Sequence, residues 1–426
     1  MKTIETKYRK INHDFLLEET HLTEKKQKYE SIALSNQMPI EWHKAKDFNI
    51  FDKKGNKWID MTAGIFVCNA GHSNPKIVRA IKKQSEELIF CFLYNTEIRY
   101  KFIERLLEVS PDHYEKVALL NSGSEVTDIA SKLIKFWAKK NNRKYIVTFR
   151  GSYHGRTLAA DMMCGDDNST DWSNLKDDDI HFIDFPKEGE QFDPSQLPDP
   201  KEIAAFFLET YQGWGALMYP EEYIKQLYDF ARENGILVCF DEIQAGFYRM
   251  GTLYGYQTYG DYIEPDMICL GKGISSSLPM AAVLGSKELI DVDKKATVGG
   301  THSGNALCCA ASLANIDFLT DEKFQKSLAK RIKLFEKLSR KMLDFDSVTQ
   351  INTKGMVTGL IFKNTEIATE VVRKCIMKGV LPVCTFKHAI KLGPPLTITA
   401  AAIKEAMQVI EESIKEVEDE QRDSQR

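Results

Sequence analysis

Between Val117 and Gly285 the sequence alternates short, unbroken apolar runs with amphipathic helical patterns, and few architectures satisfy that alternation. VALLN closes at Asn121, a helical pattern runs from about Glu125 to Lys140, and YIVTF begins at Tyr145. Ile203 to Glu209, a helix from about Glu221 to Asn234, Ile236 to Asp241, Met267 to Leu270 and Met280 to Gly285 follow. A strand buried on both faces needs no polar alternation, so this order predicts a mostly parallel sheet covered by helices on both faces, an α/β domain. Ligands of such sheets sit beyond the carboxyl ends of the strands, which directs attention to the polar and glycine residues after each run.

After Asn305 the pattern changes. Long helices (Ala306 to Leu319, Glu322 to Leu343), short strands near Met356 to Phe362 and Leu381 to Thr385, and a last helix from near Thr399 predict a smaller α+β domain. The expected division is an N-terminal segment (1–70) that joins the small domain, a large domain (71–310) and a C-terminal small domain (311–426). Asn49 to Asp60 reads as a β-hairpin around Lys54-Gly55-Asn56, and Asn74 to Leu88 as a helix with Pro75 in its first turn. Residues 1 to about 35 read as an arm or loose helix, and the tail EVEDEQRDSQR as a solvated or disordered end.

Composition narrows the function. The 426 residues carry 57 basic and 61 acidic side chains, a net charge of −4, so no basic face for nucleic acid is advertised. Nine cysteines, an odd count without a Cys-x-x-Cys pair, read as reduced thiols, and no metal is called for. No apolar run approaches the roughly 20 residues that span a bilayer. A cytoplasmic protein acting on small molecules, with no membrane partner, is the expectation.

Four features after the strands carry chemistry. Lys272 lies between two glycines at the end of one apolar run and before another, either snorkelling from a turn or desolvated into a nucleophilic amine that attacks aldehydes. Asn121-Ser122-Gly123-Ser124-Glu125 opens a helix, and is either an ordinary serine cap or an anion site of backbone amides. Asp241 ends a core strand; it either caps the next segment or holds a pyridine nitrogen protonated. Tyr153-His154-Gly155 offers an aromatic face to a ring. Together they spell a phosphate anchor, a ring platform, a pyridinium partner and an imine-forming lysine.

These residues resemble the class III aminotransferases, which use pyridoxal 5'-phosphate in the type I (aspartate aminotransferase) fold. The likeness runs from about Pro39 to the last helix, through Gly71-His72, NSGSE at Asn121, YHG at Tyr153, ETYQGWG at Glu209, DEIQAGFYRMG at Asp241, LGKG at Leu270, GGTHSGNALCCAA at Gly299 and KLGPPLTIT at Lys391. It implies that Lys272 forms the Schiff base, Asp241 faces the pyridine nitrogen and Gln244 the 3′ oxygen. It further implies that Ser122, Gly123 and Ser124 bind the phosphate, that Tyr153, His154 and Glu209 border the cofactor, and that Thr301 reaches the phosphate in the neighbouring subunit of a homodimer with shared active sites.

Two departures concern the substrate. Trp214 stands where many members have a second glutamate, and Lys391 where they have a carboxylate-gripping arginine. Lysine is a point charge without arginine's bidentate fork; Lys391 reads either as a monodentate substrate partner or as a solvated edge-strand residue. The expected activity is transfer of an amino group from an amine or amino-acid donor to a carbonyl acceptor. The alternatives are an aminomutase like glutamate-1-semialdehyde aminomutase and a non-catalytic protein that kept the fold.

Overall fold

The computed structural model describes residues 3–12, 17, 21–33, 38–165, 177–385 and 387–424. It divides into two compact units, residues 67–69 with 75–327, and residues 1–66 with 70–74 and 328–426. No helix among the described residues is long and apolar enough to cross a membrane.

The first unit is built on a seven-stranded sheet: β1 (Lys116–Leu120), β2 (Tyr145–Phe149), β3 (Ile180–Ile183), β4 (Ile203–Glu209), β5 (Leu237–Asp241), β6 (Met267–Leu270) and β7 (Ala281–Gly285), in the spatial order β1-β7-β6-β5-β4-β2-β3. Only β7 is antiparallel to its neighbours. Ten residues separate β6 from β7, too few for the crossover that a parallel neighbour needs.

All seven residues of β4 are buried, because both faces are covered. Phe207 joins Val126, Leu133 and Ile134 of the helix Gly123–Lys140 in one core. Phe206, one residue earlier and therefore on the other face, packs against Phe192 and Phe230, the latter on the helix Glu221–Glu233.

In the second unit the predicted hairpin forms between Asn49–Phe51 and Lys57–Asp60, and Val380–Leu381 pairs in parallel with Lys57–Asp60. The early and late parts of the chain thus share one sheet. A four-stranded antiparallel sheet orders Val348–Lys354, Val357–Phe362, Ala389–Leu392 and Val383–Thr385, and the helices Thr365–Met377 and Ala400–Ser424 accompany it.

Three expectations are corrected here. The N-terminal arm carries two short paired strands, Ile4–Glu5 and Lys10–Ile11, and Arg9 is tied to Glu405 at 2.6 Å; the helix His21–Tyr29 follows, while residues 1–2, 13–16, 18–20 and 34–37 lie outside the described ones. The tail is solvated from Asp419 to Ser424 but helical through Ser424 rather than disordered: Val417 extends the buried stripe Ile403, Met407, Ile410 and Ile414, and the buried Glu418 accepts from the Ser347 amide at 2.7 Å. Lys391 is neither solvated nor on an edge strand. It is 4% exposed, on a strand flanked by two others.

Candidate active site

In the first unit the carboxyl ends of β1, β2, β4, β5 and β6 meet at one edge of the sheet, and the singled-out residues collect there. Asp241 is the last residue of the central strand β5, in register with Glu209 at the end of β4. Buried to 5% exposure, its carboxylate is held from both sides: Oδ2 lies 2.8 Å from His154 Nδ1, and Oδ1 accepts from the Ile243 amide at 3.0 Å. The latter is the local capping bond read from sequence. His154, itself buried, has its ring edge-on to Phe207 and Nε2 3.4 Å from Thr148 Oγ1. A carboxylate gripped by an imidazole behind it is an aimed acceptor for a cationic ring nitrogen.

Lys272 sits two residues past β6. It is half-buried and adopts φ +41°, left-handed backbone that a side chain rarely takes. Asn315, fully buried, imposes that turn by donating to the Gly273 and Ile274 carbonyls at 2.8 and 3.0 Å. Burial pushes the Lys272 ammonium below the ordinary lysine range, while the Asp241 and Glu209 charges pull it back up. An amine whose basicity is lowered is the better nucleophile toward a carbonyl carbon and can carry a proton.

At the head of the helix Gly123–Lys140, Ser122 is the cap: its hydroxyl accepts from the Glu125 amide at 3.3 Å, and the Glu125 carboxylate takes the Asn121 and Ser122 amides. Its hydroxyl is therefore engaged. The amides of Gly123 and Ser124 have no acceptor among the described residues, so these two, at the positive end of the helix, are left for an anion. The Ser124 hydroxyl accepts from the Arg156 amide at 3.1 Å.

Tyr153, about half-exposed, presents its ring beside the buried His154, and its amide donates to Glu209 at 3.1 Å. Glu209 also accepts from Gly213 at 3.0 Å. A side chain at Gly213 would stand 3.0 Å from Glu209 and 3.2 Å from Gln244, so the glycine lets these two polar groups approach the same stretch of backbone. Trp214 is half-buried, its indole 3.3 Å from Gln212 Oε1. Thr301 lies apart, exposed on the loop from Gly299 to Gly304, and Lys391 belongs to the other unit.

Burial raises the Glu209 carboxyl from an ordinary 4.5 to about 7, with Asp241 adding and His154 and the two amides opposing. Folded Glu209 therefore holds a proton that the unfolded chain has lost between these two values, so its contribution favours folding at low pH and disappears as pH rises through about 7. Relative to wild type, Glu209→Gln should remove about 2 kcal/mol of this pH-dependent change between pH 5.5 and pH 8. Urea midpoints at the two pH values check it, and parallel shifts in both proteins would refute the assignment.

Several supporting residues carried no sequence signal. Buried Glu242 accepts from Thr210, Gly255 and Tyr256 and fixes the segment after Asp241. Fully buried Arg249 donates to Asn69 at 2.6 Å, and Asn69 in turn donates to the Phe247 carbonyl at 3.0 Å. The only sequence hint was their place within or beside the motifs.

A free anion site on a helix, an aimed buried carboxylate and a lysine with depressed basicity, along one sheet edge, fit a pyridoxal-phosphate enzyme. The chain belongs to the class-III aminotransferase family, whose model matches residues 32–414, and is a pyridoxal-phosphate-dependent transaminase. It is 33% identical to the acetylornithine aminotransferase of Caldanaerobacter subterraneus subsp. tengcongensis over 90% of this chain and 96% of that one. To the acetylornithine aminotransferase of Methanothermobacter thermautotrophicus it is 32% identical, covering 87% and 93%. The ornithine aminotransferase of Toxoplasma gondii, described with partial occupancy of PLP at its active site, superposes with a TM-score of 0.85 at 26% identity, over 94% of this chain and 95% of that one.

Proposed function

We propose that this transaminase works through Lys272 and Asp241 in a two-stage exchange, in which a donor leaves its amino group and a carbonyl acceptor collects it. The observation that carries the assignment is the Asp241 carboxylate, gripped by His154 at 2.8 Å at the centre of the strand ends. Bound pyridoxal phosphate supplies an electron-withdrawing ring conjugated to the substrate carbon that bears the amine. The chain's own groups do the rest. The Gly123 and Ser124 amides hold the phosphate, Tyr153 covers a ring face, Gln244 and Glu209 border the ring, and Asp241 keeps its nitrogen protonated. Lys272 is the covalent attachment point and then, released as an amine, carries a proton between two carbons. Supplying donor and acceptor as separate molecules tests the exchange: parallel double-reciprocal lines support it, and conversion of one substrate without an acceptor would favour the aminomutase.

Lys391 is the partner of a substrate anion in this reading. Its Nζ stands 4.3 Å from the centre of the Phe66 ring, and the residue is buried. Charge-assisted bonds are worth about 1.5 to 3 kcal/mol, so Lys391→Ala should raise KM for carboxylate donors about ten-fold or more, and Lys391→Arg should alter it by a few-fold. Equal KM values in all three proteins would show that the residue serves packing alone.

The working unit in this reading is a cytoplasmic homodimer with shared sites. Leu88, Ile89, Phe90, Phe92, Leu93 and Tyr94 form an exposed apolar stretch, Tyr94 being 78% exposed. Arg99 ties it to the Thr301 loop by donating to the Phe92 carbonyl at 2.6 Å and to Ser303 and Gly304 at 3.3 and 3.2 Å. Two-fold symmetry makes an exchange of such loops reciprocal. A mixed dimer of a Lys272→Ala chain with a Thr301→Trp chain should keep about half the wild-type activity, since one site collects both defects. Near-complete loss would mean that Thr301 serves its own chain.

A further inference from the structure

Lys272 is flanked by glycines because side chains press on its turn. A Cβ at Gly271 would fall 3.1 Å from the Ile243 side chain, and one at Gly273 only 2.6 Å from Asn69 Nδ2 and 3.3 Å from the Phe247 Cβ. Asn69, 1% exposed, is thus wedged against the backbone that follows the lysine. It lies in the short segment 67–69 of the first unit, to which Phe247, Arg249 and Gly273 also belong.

Asn69 uses both ends of its amide. Nδ2 donates to the Phe247 carbonyl at 3.0 Å and lies 3.4 Å from that of Gly246, while Oδ1 accepts from Arg249 Nη2 at 2.6 Å. Arg249 is fully buried, so water is no substitute for that acceptor. A guanidinium only donates, and it therefore dictates that the oxygen of Asn69 faces Arg249 and the nitrogen faces Gly273 and the two carbonyls.

Two stretches of left-handed backbone meet at this wedge. Phe247 and Tyr248 have φ of +56° and +65°, and Lys272 and Ser276 have +41° and +52°. Residues with side chains keep such angles only where their surroundings impose them, and strain of this kind collects at active sites. Asn315 holds the second stretch by the Gly273 and Ile274 carbonyls. Asn69 holds the first by the Phe247 carbonyl and stands between it and Gly273.

We propose that Asn69, locked by Arg249, is a positioning residue for Lys272: it fixes the backbone from which the amine reaches the cofactor aldehyde. The proposal rests on Lys272 being the attachment point, as argued above. Attachment joins the amine nitrogen to the aldehyde carbon and releases the aldehyde oxygen as one water, so its rate depends on how the amine is aimed. The Gly123 and Ser124 amides and the Asp241 carboxylate are held by other groups. A form of the cofactor that cannot condense with the lysine should therefore bind without regard to Asn69.

The test compares two forms of the cofactor on protein freed of it. Pyridoxal phosphate carries the aldehyde; pyridoxamine phosphate carries an amine in its place and binds without linkage. Asn69→Ala removes the wedge. Asn69→Asp keeps its size and the acceptor for Arg249, whose charge keeps the carboxylate ionised, but it cannot donate to Phe247. Each folded variant should slow linkage of pyridoxal phosphate about ten-fold or more, followed by absorbance and by borohydride trapping, while the Kd for pyridoxamine phosphate stays within about two-fold of wild type. Unchanged linkage rates in the folded variants, or equal losses for both forms of the cofactor, would show a residue that serves structure alone and overturn the inference. Failure of both variants to fold would do the same. Lys272→Ala belongs in the same assay. If it still forms a trappable linkage at the wild-type rate, the Lys272 reading fails; loss of linkage there, beside wild-type rates in both Asn69 variants, sinks this inference alone.

Discussion

Lys272→Ala should lower turnover by about a thousand-fold or more, because one side chain supplies both the covalent attachment and the proton carrier. The Gly123 and Ser124 amides and the Asp241 carboxylate are untouched by that change, so the variant should still retain pyridoxal phosphate by phosphate and ring contacts through gel filtration. Loss of turnover with retained cofactor separates a chemical role from a collapsed fold. Retained turnover, or loss of cofactor together with loss of structure, would reject the assignment. The left-handed backbone at this position accepts alanine no worse than lysine, so the variant adds no new strain.

Asp241→Ala should cost several kcal/mol of transition-state stabilisation, about a hundred-fold to ten-thousand-fold in kcat/KM. Removing the carboxylate takes away the group that keeps the ring nitrogen charged, and the ring's pull on electrons with it. It also strips His154 Nδ1 of its partner at 2.8 Å. Asp241→Glu should recover part of the activity. His154→Ala should cost less than Asp241→Ala, because the Ile243 amide still holds Oδ1. Steady-state kinetics on the three variants check the order, and an Asp241→Ala enzyme with unchanged turnover would falsify the role.

The strands were legible because burial on both faces of β4 and its neighbours writes itself as unbroken apolar runs, and the strand ends were legible because Asp241 and Lys272 are polar residues that no core strand would choose. Direction was not legible: the run Ala281–Gly285 reads the same either way, and only the short link from β6 makes β7 antiparallel. The tail is solvated from Asp419 to Ser424, as its charges suggest, but its helix was not legible because those charges outnumber its apolar residues, although Val417 keeps the helical spacing of the stripe before it. Lys391 could be read as solvated as well as a substrate partner because its burial depends on Phe66, 325 positions away in sequence and stacked over Gly393. Arg99, Asn315, Glu242 and the Asp60–His72 pair act on backbone or side chains that only folding brings near, so their roles were not legible, although His72 and Glu242 stand within Gly71-His72 and DEIQAGFYRMG.

Borohydride reduction of the cofactor-loaded protein, followed by peptide mapping, tests the central assignment most directly. The reduced linkage should place a single phosphopyridoxyl label on Lys272, within the peptide that contains Leu270-Gly271-Lys272-Gly273. A label on any other lysine, with Lys272 unmodified, would contradict it.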